Sequence, residues 1–176
     1  MTSLTEWLAD EERAWSTFRA GPGPGVADIA IVRATSGLDF LQAMLRGEVP
    51  YAPIAAAADF FMLRAEPGRA VFQGTPRAEF YNPMGTVHGG WVATLLDSAL
   101  ACAVHTTLAA GRGLTTTDLN VKMVRALTPR TARVRAEGQV VHVGRQIATA
   151  EARLVGPDGE LYAHASATCL CFELPA

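Results

Sequence analysis

At 176 residues the chain has the length of one domain, or of one domain with an extension, and can bury a sizeable core. A composition of 49% hydrophobic and 18% charged residues excludes a disordered chain. The net charge of −2 leaves no basic excess of the kind that binds a nucleic-acid backbone. Cys102, Cys169 and Cys171 form no CxxC pair, and His88, His105, His142 and His164 stand at no zinc spacing from them, so neither a metal site nor a cofactor is expected.

In chain order, Leu4, Trp7, Leu8, Trp15 and Phe18 fall at helical spacing over residues 4–19, with Ser3 and Glu6 positioned for a capping box. The acidic residues here stand where a signal peptide needs basic ones, so a cytoplasmic protein is expected. Gly21-Pro22-Gly23-Pro24-Gly25 then breaks the pattern. Residues 1–25 read as a helical extension with a linker, and 26–176 as a single domain. Ser36 and Asp39 open a short helix over 37–46 that Gly47 and Pro50 stop. Strands are expected at 60–65 and 69–73, joined by a turn at Glu66-Pro67-Gly68.

The longest apolar run extends from Gly89 to Ala110. Asp97 and His105 interrupt it, and a carboxylate near the middle of a membrane span costs about 2.5–3.5 kcal/mol even on lenient scales. A helix buried by protein is the better reading, with no membrane association. Four strands follow, at 114–125, 131–143, 146–155 and 161–172. In Arg133-Val134-Arg135-Ala136-Glu137 the polar and apolar residues alternate, which predicts a sheet with one wet face. One apolar sheet face and one long helix suggest a sheet curled around that helix.

Chemistry concentrates around this helix. Gly89 and Gly90 are poor residues for a helix start, but they leave its first N–H groups open to another molecule. Those groups, at the positive end of the helix dipole, can polarise a carbonyl and hold an oxyanion; the alternative is that the glycines only permit close packing. Asp97 is the only acid between Glu79 and Asp118 and lies among Leu95, Leu96, Ala99 and Leu100. A carboxylate there has lost much of its hydration, so it either pairs locally or lines a cleft.

Asn82, His88-Gly89-Gly90 and Asp97-Ser98-Ala99-Leu100 together resemble the PaaI-type hotdog thioesterases, as do the strand Thr116-Thr117-Asp118-Leu119-Asn120-Val121, Arg125 and the Gly144-Arg145 turn. The resemblance covers roughly residues 36–173. It implies an α+β hotdog fold, an antiparallel sheet of five to six strands wrapped around one long central helix. The activity it implies is hydrolysis of an acyl-CoA thioester.

On this resemblance Asp97 is general base or nucleophile, the Gly89 N–H polarises the thioester carbonyl, and Asn82 orients water or thioester. Thr116 assists Asp97, with Thr115 and Thr117 adjacent to it. His88 lies at the site and shapes its loop, and Gly90 belongs to the substrate-binding helix start. Arg125, Arg145 and Arg130 are candidates for the coenzyme A phosphates. Such sites form across a subunit interface, which implies a homodimer or homotetramer. Trp91, after the glycines, either narrows the acyl pocket or fills core. The rival reading is a non-catalytic acyl-CoA-binding module, against which the pairing of Asn82 with Asp97 argues.

Overall fold

The computed structural model describes residues 3–175. Helix α1 (Leu4–Ala20) begins with the expected capping box: the Glu6 amide donates to the Ser3 hydroxyl at 3.3 Å, and the Ser3 amide donates to the Glu6 carboxylate at 2.6 Å. Helix α3 (Gly37–Leu45) is capped by Ser36 as expected. Two further helices, α2 (Ile29–Ala34) and α4 (Pro53–Ala57), were not foreseen, because five or six residues are too few to show a helical period.

Six strands follow the hairpin and meander read from the sequence: β1 (Phe60–Glu66), β2 (Arg69–Gly74), β3 (Arg112–Met123), β4 (Val134–Val143), β5 (Ile147–Val155) and β6 (Leu161–Glu173). They form one antiparallel sheet in the order β1-β2-β4-β5-β6-β3. At the β1–β2 turn Gly68 takes φ +73°, a left-handed conformation suited to glycine. The sheet wraps around α5 (Gly89–His105), giving the expected hotdog architecture.

Helix and sheet approach closely where β5 and β6 turn small residues inward. Ala148, Ala150 and Ala152 of β5 and Ala163, Ala165 and Ala167 of β6 are all buried, and the larger volume comes from the helix, through Trp91, Val92, Leu95, Leu96 and Leu100. At Gly138 of β4 any side chain is impossible, since a Cβ there would lie 2.3 Å from the Ala99 carbonyl oxygen. Trp91 fills core: it stacks on Phe80 and donates from its indole N–H to the Ala58 carbonyl at 2.7 Å. No helix among the described residues is long and apolar enough to cross a membrane.

The outer face of the sheet is less wet than the alternation in β4 predicts. Arg135 is only 4% exposed and Gln73 of β2 is fully buried, because α1 lies over both. Arg135 Nη2 donates to Asp10 at 2.7 Å, its Nε donates to the Gln73 side-chain oxygen at 2.8 Å, and its guanidinium sits 4.2 Å from the Trp7 ring centre. Glu11 accepts from Gln73 at 2.9 Å and pairs with Arg133. Such buried charges are tolerated because each has found a partner. Burial would raise the Asp10 carboxyl, but the hydrogen bond and charge of Arg135, with help from Arg13, hold it below the ordinary value.

Candidate active site

His88 ends the preceding loop in an extended conformation (φ −63°, ψ 135°) and caps α5 with its ring, Nδ1 accepting from the Gly90 amide at 2.9 Å. The Trp91 amide donates to the His88 carbonyl at 3.0 Å. The amide of Gly89 has no hydrogen-bond partner among the described residues. A lone N–H at the positive end of a 17-residue helix is a ready donor to a carbonyl or oxyanion.

Asn82 organises the loop before the helix. Its side-chain oxygen accepts from the Met84 and Thr86 amides at 2.9 and 3.3 Å, and its Nδ2 donates to Thr86 Oγ1 at 2.9 Å. With its oxygen taken up this way, Asn82 has one side-chain N–H left for other work.

Asp97 stands half-buried on the less covered side of α5, and Thr116 Oγ1 donates to its Oδ1 at 2.9 Å. Of the three adjacent threonines this is the one expected from the sequence. Thr117 donates instead to the Thr168 carbonyl at 3.1 Å. A β-bulge explains the choice. In the β3–β6 register Thr116 faces Cys169 and Asp118 faces Thr168, leaving Thr117 as the extra residue. Leu114 and Thr116 before the bulge therefore share the inner side with Leu119 and Val121 after it, while Asp118 and Asn120 stay exposed. Without the bulge, strict alternation would turn Asp118 and Asn120 toward the core.

Beside Asp97 lies an apolar cavity of about 230 Å³, whose walls include Phe60, Phe61 and Met62 of β1, Phe72 of β2, and Ala101 of α5. Cys102 also lines it. Burial, with the Asp97 charge adding to it, pushes that thiol up to about 12, so it stays protonated and acts as an apolar wall. Phe18, Tyr51 and Ile54, which lie before the sheet begins, also line the cavity. Sequence reasoning missed these three, since no linear spacing ties them to Asp97.

The other candidates separate into two groups. Arg125 lines a second hollow of about 250 Å³ next to Gly89, together with Met123, Leu127 and Tyr162, and pairs with Glu160 at 3.1 Å. Arg145 lies at the opposite end of β3, where its carbonyl accepts from Arg112. His105 packs near Phe40 at the end of α5, and burial lowers its basicity, so it is a core residue rather than a partner of Asp97. Within one chain the Gly89 amide and Asp97 are themselves separated: eight residues of helix put them about 12 Å apart along the axis.

A family model described as Thioesterase superfamily matches residues 84–163. Among solved structures, a mutant of the phenylacetic acid degradation protein PaaI from Thermus thermophilus is 32% identical, with a TM-score of 0.60 over 67% of this chain and 97% of that one. A putative thioesterase from Ralstonia eutropha JMP134, described as phenylacetic acid degradation-related, is 28% identical, with a TM-score of 0.68 over 74% of this chain and 98% of that one. A thioesterase family protein from Silicibacter pomeroyi shares the fold at 22% identity and TM-score 0.66, over 78% of this chain and 97% of that one. No curated protein sequence matches the chain. The bulged strand, the glycine helix start and the acid in the apolar helix thus occur in a chain that belongs to the hotdog thioesterase superfamily, and its chemistry is thioester hydrolysis.

Proposed function

We propose that the protein hydrolyses acyl-CoA thioesters in the cytoplasm, with Asp97 as general base or nucleophile and the Gly89 N–H polarising the carbonyl. The observation that carries this reading is the Thr116 to Asp97 hydrogen bond of 2.9 Å at the wall of an apolar cavity. That bond fixes the carboxylate while its second oxygen has no hydrogen-bond partner among the described residues. In the general-base form, Asp97 takes a proton from water as the hydroxyl oxygen adds to the carbonyl carbon. The oxyanion is held at Gly89, the C–S bond breaks, and the departing sulfur receives the proton from Asp97. In the nucleophilic form the carboxylate attacks the carbonyl carbon and the C–S bond breaks, releasing the coenzyme A thiolate; water then cleaves the resulting anhydride to give the free acid and the Asp97 carboxylate, and the proton it loses goes to the thiolate. Asn82 steadies the loop that presents Gly89, and His88 steadies the first turn. Arg125, Arg130 and Arg145 are the cations available to the coenzyme A phosphates.

The separation of about 12 Å within one helix favours a site built from two subunits. Strand β3 supports the same reading, because it is a 12-residue sheet edge with no strand partner besides β6 among the described residues. Gly89 sits beside the end of this strand, where an added Cβ would meet Met123 Cε at 3.2 Å, and Asp97 is held at Thr116. Antiparallel pairing of two β3 edges about a two-fold axis near Leu119 and Asn120 would set Met123 opposite Thr116 of the partner subunit. Gly89 of one chain and Asp97 of the other would then face one thioester.

Thiol release from a panel of acyl-CoA thioesters tests the proposal. Wild type should turn over at least one of them, and Asp97→Asn should fold normally and lose most of the rate. Binding without turnover would favour a non-catalytic acyl-CoA-binding module, and equal rates for the two proteins would remove Asp97 from the mechanism.

A further inference from the structure

The cavity beside Asp97 is partly open to solvent, and residues that precede the sheet help to line it. Phe18 comes from the last turn of α1, Tyr51 from the segment before α4, and Ile54 from α4 itself. Phe18 and Tyr51 lie with ring centres 5.0 Å apart, and Phe18 is 6.3 Å from Phe61 in an edge-on arrangement. This aromatic cluster is anchored from the outer face of the sheet, through the Asp10–Arg135 and Glu11–Arg133 pairs and the Arg135 to Trp7 contact. This part of the lining is therefore fixed to the sheet. A fixed wall in a cavity that a reacting carboxylate also lines limits the size of the group held there.

We infer that the N-terminal segment sets the length of the acyl group, Phe18, Tyr51 and Ile54 closing a pocket that starts at Asp97 and takes an uncharged, apolar acyl chain of about six to nine carbons. The inference rests on the thioester-hydrolase reading of Asp97 and adds the substrate class. The size follows from the volume: a dry cavity of about 150 Å³ holds a benzene, and a water-sized group occupies about 30 Å³, so 230 Å³ admits roughly seven or eight carbons. The chemical class follows from the lining. Its polar side chains are Asp97, Ser98 and Tyr51, and no cation is among them. A carboxylate at the far end of an acyl chain would be buried without a counter-ion.

The test is the affinity of the full-length protein for non-hydrolysable S-alkyl-CoA thioethers of increasing length, from butyl to tetradecyl, measured by calorimetry. In wild type, affinity should rise about fourfold per methylene until the pocket is full, and then stop rising near eight carbons. Phe18→Ala enlarges the cavity and should move that break two to three carbons longer. Ala101→Leu adds side-chain volume from α5 and should move it shorter, so the inference stays testable if Phe18→Ala fails to fold. A break at the same length in wild type and the variants, a continuous rise to tetradecyl, or no binding at any length would overturn the inference. Because thioethers are not cleaved, this readout is separate from turnover. A protein that shows the break and yet releases no thiol from any thioester keeps its measuring pocket and loses its hydrolase assignment.

Discussion

Replacing Gly89 by proline isolates the contribution of a single backbone N–H. Proline is well suited to the first position of a helix, where its missing N–H has no intrahelical acceptor and its fixed φ suits the turn. The preceding residue must be extended, and His88 already is, at ψ 135°. The substitution breaks no hydrogen bond among the described residues, and the nearest atom to a new Cβ is the end of the exposed Met123 side chain at 3.2 Å. The fold should therefore keep its stability to within about 1 kcal/mol. What disappears is the donor to the oxyanion, and removing one such donor typically lowers kcat by about 10²–10³. Gly89→Ala keeps the N–H and adds nearly the same Cβ, so it separates the donor from the bulk. Steady-state thiol release and thermal melting of the three proteins supply the comparison. A proline variant that folds normally and keeps the wild-type kcat would remove the Gly89 N–H from the mechanism, as would an alanine variant as slow as the proline one.

Two further outcomes follow from contacts elsewhere. Thr116→Val keeps the shape of the side chain and removes the hydrogen bond to Asp97; bonds to charged groups contribute about 1.5–3 kcal/mol to stability, which at about 2–4 °C per kcal/mol lowers the melting temperature by roughly 3–12 °C, and kcat should fall as the carboxylate loses its alignment, so an unchanged kcat would show that the bond is idle in catalysis. Asp10 has a folded pKa held below its ordinary value of 3.8, so its stabilisation is fully present above that pH and is lost as pH falls through the lower folded value. The melting-temperature gap between wild type and Asp10→Asn should be widest near neutrality and close below about pH 4, and a gap independent of pH would contradict the ion pair.

The features legible in the sequence were those whose cause is local. A helix cap, a glycine pair at a helix start and a lone acid in an apolar run are visible within a few residues, as are strands punctuated by turns. The bulge also left a trace: inward residues fall on even numbers at Leu114 and Thr116 and on odd numbers at Leu119 and Val121, which unbroken alternation cannot produce. The roles of Arg135 and Gln73 were hidden because their partner Asp10 or Glu11 lies 125 or 62 residues away. By alternation alone Arg135 reads as solvent-facing, and only the docking of α1 makes it buried. The pocket wall was hidden for the same reason, since Phe18 and Tyr51 come to line one cavity with Asp97 only once α1 and α4 have packed.

In the proposed dimer one thioester is held by Gly89 of one subunit and attacked with Asp97 of the other, so that each α5 serves two sites. Mixing Asp97→Asn with Gly89→Pro tests it directly. Each protein alone should be nearly inactive in thiol release. After the subunits exchange, half of the dimers should be mixed, and each mixed dimer holds one site with both functional groups intact, so about a quarter of the wild-type activity should return. If both groups came from the same chain, every site in every dimer would carry one defect. A mixture that stays at the activity of its parents, with subunit exchange verified, would rule out a site shared between subunits.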